Sequence, residues 1–333
     1  MTTTDKPKLT RKDFQSDQDI RWCPGCGDYA ILATVQKYLA SIEADPANTV
    51  VVSGIGCSSR FPYYMNTYGF HTIHGRAPAV AMGLKVANPD LDIWLVTGDG
   101  DSMSIGGNHL IHVLRRNLNI TILMFNNEIY GLTKGQYSPT SPLGTRKKTT
   151  PMGSVDRPFN PLQLALGSQA TFVARTVDSD PKHMAKVIAA AHKHKGTSFV
   201  EILQNCVIFN KDFYSDSMDR SVRADRTVDL WPGEPMVYGK ERDKGLKLNG
   251  FEIEGCSASD ADVWNPSTRS SAPGVLLSGI TDIDGMPMPM GIFRDVEALV
   301  YDEAVAAQVN ASIPESGPPP LKDLVWGGET WEV

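Results

Sequence analysis

Two of the five cysteines in this chain of 333 residues, Cys23 and Cys26, form a CxxC pair in the stretch RWCPGCGDYA. Such a pair can be half of a zinc site, a redox dithiol, or part of the ligand set of an iron–sulfur cluster. The residues before the pair, FQSDQDIRW, are polar and charged, so the apolar strand that precedes a thioredoxin-type dithiol is missing. The sequence also lacks a second close cysteine pair, which a zinc ribbon would show.

Two further cysteines, Cys57 and Cys206, are isolated in the sequence. Four thiolates can hold a 4Fe–4S cluster even when they are distant along the chain, provided that folding brings them together. The set Cys23, Cys26, Cys57 and Cys206 therefore favours a cluster, with a zinc site and the absence of any metal as open alternatives. Cys256 is left over and is expected to be an ordinary, partly buried thiol.

A second pattern combines GDG at 98–100 with the pair NN at 126–127. The chain between them is long enough for one strand–helix–strand crossover, so Asp99 and Asn127 are expected at neighbouring strand ends. One carboxylate, one amide oxygen and a backbone carbonyl suit Mg²⁺, which completes its octahedron with phosphate oxygens and water. The pairing resembles the thiamine diphosphate motif, although GDG alone can be an ordinary tight turn. A P-loop is excluded because GxxxxGK(S/T) does not occur.

The segment 54–77 is dense in glycine and polar residues. It follows a predicted strand, so it is expected to form a loop that faces the ligand site. His74 and Arg76 could contact a phosphate or a carboxylate substrate; the alternative is that they are solvated or structural. His109 and His112 follow GDG on a predicted helix and are expected to be structural.

The elements that must position these residues are visible as apolar runs. Runs that are nearly all apolar are typical of strands in a parallel sheet, and they occur at 49–54, 92–98, 120–127, 171–176 and 198–204. Helical periodicity begins at Asp28, which can cap the first helix, and recurs at 78–87, 108–115, 161–166 and 181–194. This alternation predicts an α/β fold with a parallel sheet and helices on both faces. Cys57, Asp99, Asn127 and Cys206 all follow strands, at the edge where such sheets bind ligands.

Three parts of the chain are expected. Residues 1–20 form a polar N-terminal arm, 21–210 form the cofactor-binding domain, and 211–333 form an irregular C-terminal extension that packs on the core or on a partner subunit. The net charge of −6 gives no positive field for nucleic acid or anionic membrane, and no apolar run approaches the about 18 residues that span a bilayer. The N-terminus lacks the apolar segment of a signal peptide, so a cytoplasmic protein is expected.

The motifs WCPGCG, GIGCSSR, HGRA, GDGD, NNEIYGLTKGQ and EILQNC together resemble the β subunit of 2-oxoacid:ferredoxin oxidoreductases, most closely the two-subunit 2-oxoglutarate type. The match covers about residues 21–210, and MPMPMGIFR at 286–294 resembles a later segment of that family. The resemblance implies a thiamine diphosphate-binding fold. It also implies oxidative decarboxylation of 2-oxoglutarate with coenzyme A to succinyl-CoA and CO₂, with electrons passed to ferredoxin.

The resemblance also implies the ligands of three cofactors: thiamine diphosphate, Mg²⁺ and one 4Fe–4S cluster per chain. The Mg²⁺ ligands would be Asp99, Asn127 and the carbonyl of Ile129. The residues that contact thiamine diphosphate would be Ile55, Gly56, Cys57, Ser58, His74, Gly100, Asp101, Gly131 and Leu132. The cluster ligands would be Cys23, Cys26, Cys57 and Cys206.

The family's α subunit supplies the glutamate that activates the cofactor, so no catalytic residue is assigned in this chain, and Glu128 is a poor candidate. The expected assembly is a dimer of αβ pairs that uses ferredoxin, a 2-oxoacid and coenzyme A. Open alternatives are a pyruvate or broad 2-oxoacid enzyme, a cluster-free thiamine diphosphate enzyme with zinc, and a non-catalytic electron-transfer subunit. The candidates for binding the second carboxylate of 2-oxoglutarate are Arg60, Arg76, Lys134, Arg146, Lys147 and Lys148.

Overall fold

The computed structural model describes residues 8–280, 285–315 and 317–328. Within them the helices are α1 Asp28–Ser41, α2 Ala77–Ala87, α3 Asp99–Met103, α4 Gly107–Arg116, α5 Pro161–Gly167, α6 Pro181–Lys193, α7 Ser215–Met218, α8 Arg223–Arg226, α9 Ala272–Gly279, α10 Tyr301–Ser312 and α11 Leu321–Val325. The strands are β1 Thr49–Ser53, β2 Tyr68–His71, β3 Asp92–Gly98, β4 Ile120–Asn126, β5 Ile129–Tyr130, β6 Gln136–Tyr137, β7 Phe172–Val177, β8 Thr197–Leu203, β9 Thr227–Leu230, β10 Val237–Tyr238, β11 Lys244–Asn249, β12 Glu252–Ser257 and β13 Met288–Asp295.

The main sheet has eight strands in the order β2-β1-β3-β4-β8-β7-β13-β9. The neighbours from β2 to β7 run parallel. Strand β13 runs antiparallel to β7, and β9 runs parallel to β13. The parallel α/β fold predicted from the sequence is therefore confirmed, and the mixed edge formed by β13 and β9 is an addition to it.

Two hydrophobic cores lie on opposite faces of this sheet. Side chains alternate along each strand, so Val50 and Val52 face one core whereas Val51 faces the other. Helices α1 and α6 cover the Val51 face and α2, α4, α5 and α9 cover the other. Because both faces are covered, strands β1, β4, β7 and β8 are buried along their whole length. These continuous apolar runs made the five sequence-predicted strands recognisable.

One local prediction is wrong. Gly27 occupies the cap position of α1, and Asp28 is the first helical residue. The Asp28 side chain is completely buried and does not cap the helix. The helix begins one residue earlier than expected, and the Gly27 amide before it donates a hydrogen bond of 3.3 Å to the Asn205 carbonyl, in the loop after β8.

The ends of the chain pack more closely than the sequence suggested. Phe14, within the expected N-terminal arm, is fully buried in the core beneath α1. After residue 210, β9 and β13 extend the main sheet, and α9 packs on the core. Residues 1–7, 281–284, 316 and 329–333 of these two segments lie outside the described residues. No helix in the described part of the chain is long and apolar enough to cross a membrane.

Candidate functional site

A cleft opens at the carboxyl edge of the sheet, where the loops after β1, β3 and β4 converge. The structure brings together here every residue expected to contact thiamine diphosphate and every expected Mg²⁺ ligand. They are Ile55, Gly56, Cys57, Ser58, His74, Asp99, Gly100, Asp101, Asn127, Ile129, Gly131 and Leu132. Gly98, Phe125, Tyr130 and Thr133 also line the cleft, although sequence reasoning did not select them.

Asp99 is the only acidic side chain among the expected Mg²⁺ ligands, and it is buried. Burial raises the pKa of its carboxyl group, while the Ser138 and Thr140 hydroxyls act in the opposite direction. The Thr140 hydroxyl lies 2.7 Å from Asp99 Oδ2 as a donor. A buried carboxylate beside amide and carbonyl oxygens is a donor set that fits Mg²⁺, because the cation would compensate for the cost of burying the negative charge.

The two asparagines of the NN pair have different environments. Asn127 lines the cleft, donates to Gln204 Oε1 at 2.7 Å, and accepts from the Ile129 amide at 3.2 Å. Asn126 lies behind it and donates to Glu201 Oε1 at 2.7 Å. The second asparagine is therefore placed for a ligand, whereas the first is part of the support.

The support behind Asp99 continues to a buried ion pair. Asn126 Oδ1 accepts from the Thr140 hydroxyl at 3.0 Å, and Arg175 Nε donates to Glu201 Oε2 at 2.7 Å. Glu128 faces this same region and does not line the cofactor cleft. Burial, followed by the Asp99 and Glu201 carboxylates, raises the pKa of Glu128 to about 8. That Glu128 is a poor candidate for activating the cofactor stays a prediction.

Asp101 holds two loops of the cleft together. Its Oδ1 accepts from the amides of Ile55 at 3.0 Å and Gly75 at 2.8 Å. Its Oδ2 accepts from the Thr97 hydroxyl at 2.7 Å. His74 Nδ1 lies 2.9 Å from Oδ1, although the imidazole is not turned for a good hydrogen bond. The carboxylate therefore positions the walls of the cleft, a role that the sequence did not reveal.

The thiols of Cys57 and Cys206 meet at Gly131. A Cβ placed on Gly131 would lie 3.5 Å from Cys57 Sγ and 3.6 Å from Cys206 Sγ, so the missing side chain leaves both sulfurs next to the backbone of the cleft. Burial, then the Asp28 carboxylate and the Cys206 and Cys23 thiolates, raise the pKa of Cys57 to about 12.

Cys26 belongs to the same group of thiols. Burial is the largest cause that raises its pKa, the Asp28 carboxylate follows, and Cys57 and Cys206 add to it. The structure thus brings the CxxC pair near the two isolated cysteines, while Cys256 lies apart, on β12. Within the described ranges, no three Cys, His, Asp or Glu side chains are close enough to hold one metal ion.

Hydrogen bonds tie the cysteine-bearing loops to one another. Gln204 Nε2 lies 3.3 Å from Cys26 Sγ. Trp22 Nε1 donates to the Cys57 carbonyl at 2.7 Å. Asp178 Oδ2 accepts from the Asn205 amide at 2.7 Å, and Tyr214 donates to the other oxygen of the same carboxylate. Asp178 thus joins the loop that carries Cys206 to Tyr214, and it lies against Gly27 at the start of α1.

Asp28 is an unusual buried carboxyl beside these thiols. Burial, opposed by the nearby Cys26 thiol, raises the pKa of Asp28 to about 7. Neither of its oxygens has a hydrogen-bond partner of good geometry among the described residues. A buried polar group without partners is costly, and a group bound among these thiols would account for it.

The six basic candidates for a substrate carboxylate do not share one location. Arg60 lines a second cleft that adjoins the first, since both include Ile55, Gly56 and Leu132. The other five, Arg76, Lys134, Arg146, Lys147 and Lys148, line neither cleft. Lys147 donates to the Phe209 carbonyl at 2.8 Å.

Comparison with known proteins gives consistent matches. Residues 54–202 match the family described as "Thiamine pyrophosphate enzyme, C-terminal TPP binding domain". The chain is 49% identical over 338 residues to the 2-oxoglutarate oxidoreductase subunit KorB of Mycobacterium tuberculosis, which covers 99% of this chain and 90% of that protein. It is 48% identical over 309 residues to subunit beta of 2-oxoacid:ferredoxin oxidoreductase 1 of Aeropyrum pernix, with 91% and 86% covered.

A solved structure is similar over almost the whole chain. It is the 2-oxoglutarate:ferredoxin oxidoreductase from Magnetococcus marinus with 2-oxoglutarate, coenzyme A and succinyl-CoA bound. The TM-score is 0.78 at 33% sequence identity, and 98% of each chain is covered.

Proposed function

This chain belongs to the family of 2-oxoacid:ferredoxin oxidoreductase β subunits, and from that premise we propose that it is the β subunit of a 2-oxoglutarate:ferredoxin oxidoreductase. The reaction converts 2-oxoglutarate and coenzyme A to succinyl-CoA and CO₂, and it passes two electrons to ferredoxin. Thiamine diphosphate supplies the electron sink that decarboxylation of a 2-oxoacid requires. An α subunit completes the site and contributes the activating glutamate, and a cytoplasmic dimer of αβ pairs is the proposed assembly.

The observation that carries this proposal is the shared position of Cys57. Cys57 lines the cofactor cleft, and its sulfur lies next to Gly131 together with Cys206 Sγ. A redox centre held by these thiols would therefore adjoin the reacting cofactor, as electron transfer requires. A cluster-free decarboxylase has no need for such an arrangement.

The donor sets support the proposed cofactors. Asp99, Asn127 and Ile129 would hold Mg²⁺ with the diphosphate, and the cleft loops would contact thiamine diphosphate. The cysteines Cys23, Cys26, Cys57 and Cys206 would hold one 4Fe–4S cluster. In a 4Fe–4S cluster each of the four thiolates would bind a different iron atom. A zinc ion held by the same thiolates is the alternative that the metal assay decides.

In this proposal residues 21–210 carry the cofactor and cluster ligands, as the sequence suggested. The N-terminal segment would be an arm held on the core by Phe14. The C-terminal extension, which adds β9 and β13 to the main sheet, would also pack on the α subunit. The preference for 2-oxoglutarate over pyruvate rests on a cation near the cofactor. Arg60 is the candidate best placed for it, since its cleft adjoins the cofactor cleft.

The test is anaerobic co-purification with the α subunit, followed by coenzyme A-dependent reduction of ferredoxin with 2-oxoglutarate and with pyruvate. Iron, sulfide and zinc are measured on the same preparation. We expect four irons per β chain and turnover with 2-oxoglutarate. Equal efficiency with pyruvate would contradict the substrate assignment, and zinc in place of iron would contradict the cluster.

Cys57→Ala is the decisive variant, and Cys256→Ala is its matched control. We expect Cys57→Ala to lose the brown chromophore and ferredoxin reduction, because it removes a ligand at the junction between cluster and cofactor. Cys256→Ala should keep both. A Cys57→Ala enzyme with intact iron content and normal turnover would refute the arrangement.

A further inference from the structure

Three buried hydroxyl side chains lie behind the cofactor cleft, in the irregular segment after β6. They belong to the stretch SPTS at 138–141, and they are Ser138, Thr140 and Ser141. Each is at most 5% exposed, although serine and threonine are mostly found at protein surfaces. None of the three lines the cleft itself. We call this group the hydroxyl clamp.

Thr140 holds the carboxylate that is expected to bind Mg²⁺. Its hydroxyl donates to Asp99 Oδ2 at 2.7 Å, and Asn126 Oδ1 lies 3.0 Å from the same hydroxyl oxygen. A hydroxyl has one proton, so the shorter distance and the negative charge of the carboxylate both favour the bond to Asp99. This bond fixes the plane of the carboxyl group. Through Asn126, the last residue of β4, Thr140 also reaches the loop that carries the other expected ligands.

Ser141 holds that second loop, which contains Asn127 and Ile129. Between them, Glu128 has a φ of 55°, a left-handed conformation that is uncommon for a residue with a side chain. The Ser141 hydroxyl donates to the Glu128 carbonyl at 2.5 Å. It thereby holds the peptide unit that joins Glu128 to Ile129, and Asn127 and Ile129 both line the cleft.

The backbone of the clamp is fixed by hydrogen bonds of its own. The Ser138 amide donates to Ser141 Oγ at 2.8 Å, and the Ser141 amide donates to the Ser138 carbonyl at 3.1 Å, which closes a tight turn. The Phe159 amide donates to the Pro139 carbonyl at 2.9 Å and ties this turn to the chain just before α5. Because its own conformation is fixed, the turn can set the separation of the two loops that it contacts.

We propose that Thr140 and Ser141 are positioning residues for the site of Mg²⁺ and the diphosphate. They hold the Asp99 carboxylate and the 127–129 loop at the separation that one cation requires, and neither touches the cation or the cofactor. This inference rests on the proposed function, because it needs Mg²⁺ and thiamine diphosphate in the cleft.

The geometry that Mg²⁺ demands makes such positioning useful. The ion binds well only in a nearly ideal octahedron, so a carboxylate that rotates freely would bind it less tightly. Partners behind metal ligands typically contribute about ten- to a hundredfold to metal affinity. A hydroxyl that only filled space could be replaced by a methyl group without any change in that affinity. The positioning role therefore predicts a loss that depends on the hydroxyl itself.

The test uses the αβ complex with Thr140→Val, which keeps the size of the side chain and removes its hydroxyl. Asn126 Oδ1 retains another donor, the Glu128 amide at 3.3 Å, so the substitution chiefly removes the donor to Asp99. Thr140→Ser restores the hydroxyl. Ser141→Ala removes the bond to the Glu128 carbonyl and leaves Thr140 in place.

Thr145→Val is the matched control. Its hydroxyl donates to the Pro142 carbonyl at 2.6 Å, and its amide donates to Ser154 Oγ at 3.1 Å, so these bonds stay within the same irregular segment. Thiamine diphosphate is titrated by calorimetry at a series of Mg²⁺ concentrations, and coenzyme A-dependent turnover is measured over the same series. The melting temperature is measured without cofactors.

We expect the Mg²⁺ concentration for half-maximal cofactor binding to rise about ten- to a hundredfold in Thr140→Val, and by less in Ser141→Ala. Turnover at saturating Mg²⁺ should approach that of the wild type, because the clamp does not touch the reacting groups. Thr140→Ser should return close to the wild-type requirement for Mg²⁺, and Thr145→Val should match the wild type.

Two results would overturn the proposal. An unchanged Mg²⁺ requirement in Thr140→Val, whatever its melting temperature, would make the hydroxyl purely structural. An equal rise in Thr140→Ser or Thr145→Val would show that the loss does not depend on this hydroxyl. If Thr140→Val does not assemble, Ser141→Ala decides in the same way. A wild-type complex that binds no thiamine diphosphate, or binds it without Mg²⁺, would instead contradict the proposed function.

Discussion

Replacing Asp101 tests whether one carboxylate organises the cofactor cleft. The carboxylate accepts from the Ile55 and Gly75 amides and from the Thr97 hydroxyl. Asp101→Ala leaves two backbone N–H groups without a partner in a buried place, at about 1–3 kcal/mol each. The Thr97 hydroxyl can turn to the Gly98 carbonyl, which lies 3.3 Å away, so the two amides alone give an expected loss of about 2–6 kcal/mol in the free energy of unfolding. That is a large share of the ~5–15 kcal/mol that stabilises an ordinary domain.

Asp101→Asn separates hydrogen bonding from charge. The amide oxygen can still accept from both backbone donors, so we expect a loss of only about 1–2 kcal/mol, since a charge-assisted bond is roughly twice as strong as a neutral one. The loops that carry Ile55 and His74 should remain in place. Thiamine diphosphate affinity should therefore fall modestly in Asp101→Asn and severely in Asp101→Ala.

The assay is thermal unfolding of the αβ complex with and without thiamine diphosphate and Mg²⁺, together with titration of the cofactor. Asp90→Ala, which removes an exposed carboxylate before β3, is the control and should behave as the wild type. If Asp101→Ala unfolds at the wild-type temperature and binds the cofactor with wild-type affinity, the carboxylate does not organise the cleft and the reasoning fails.

Two further substitutions probe the cysteine loops and the adjoining cleft. Gly27→Ala would drive a methyl group into the Asp178 carboxylate, which the Asn205 amide holds in place. We expect it to lower the free energy of unfolding by about 1–3 kcal/mol and to reduce the number of irons per chain. Gly83→Ala is the control: no atom lies near its added methyl group, so iron content and melting temperature should be unaltered or slightly improved. Arg60→Met should raise the KM for 2-oxoglutarate by about ten- to a hundredfold, as expected from losing a hydrogen bond to a charged group. Turnover of pyruvate should change little. Equal effects on the two substrates would show that Arg60 does not select the substrate.

Strands could be predicted from the sequence where burial on both faces makes them continuous apolar runs. Strand β4 is buried at every position and reads as one apolar run. Strand β2 is exposed along its whole length at the edge of the sheet, so YGFH carries no such signal. Strand β13 contains Pro289 and a shift in register between Ile292 and Arg294, and both hide its extended character.

In the candidate site, the residues that directly follow buried strands could be predicted, whereas those brought in by loops could not. Asp99 and Asn127 were identifiable because each comes directly after a buried strand. Thr140 was not, since it reaches Asp99 from a distant irregular loop and nothing in the local sequence marks it. The roles of Asp101 and Asp178 also depend on loops that meet only in the folded chain. Pairing of loops is a tertiary property that local residue patterns do not encode.

The absence of a side chain at Gly131 affects how the enzyme would be inactivated by chemical damage. Gly131 lines the cofactor cleft and has no side chain that could cover the Cys57 and Cys206 sulfur atoms next to it. Any oxidant or alkylating agent small enough to enter the cleft can reach Cys57 from inside, without crossing the protein. Damage to that sulfur alters the wall of the cleft at the same moment, because Cys57 is itself part of the lining. If these thiols hold the proposed cluster, exclusion of oxygen from the cleft, by the partner subunit or by bound ligands, would protect both the cluster and the cofactor site.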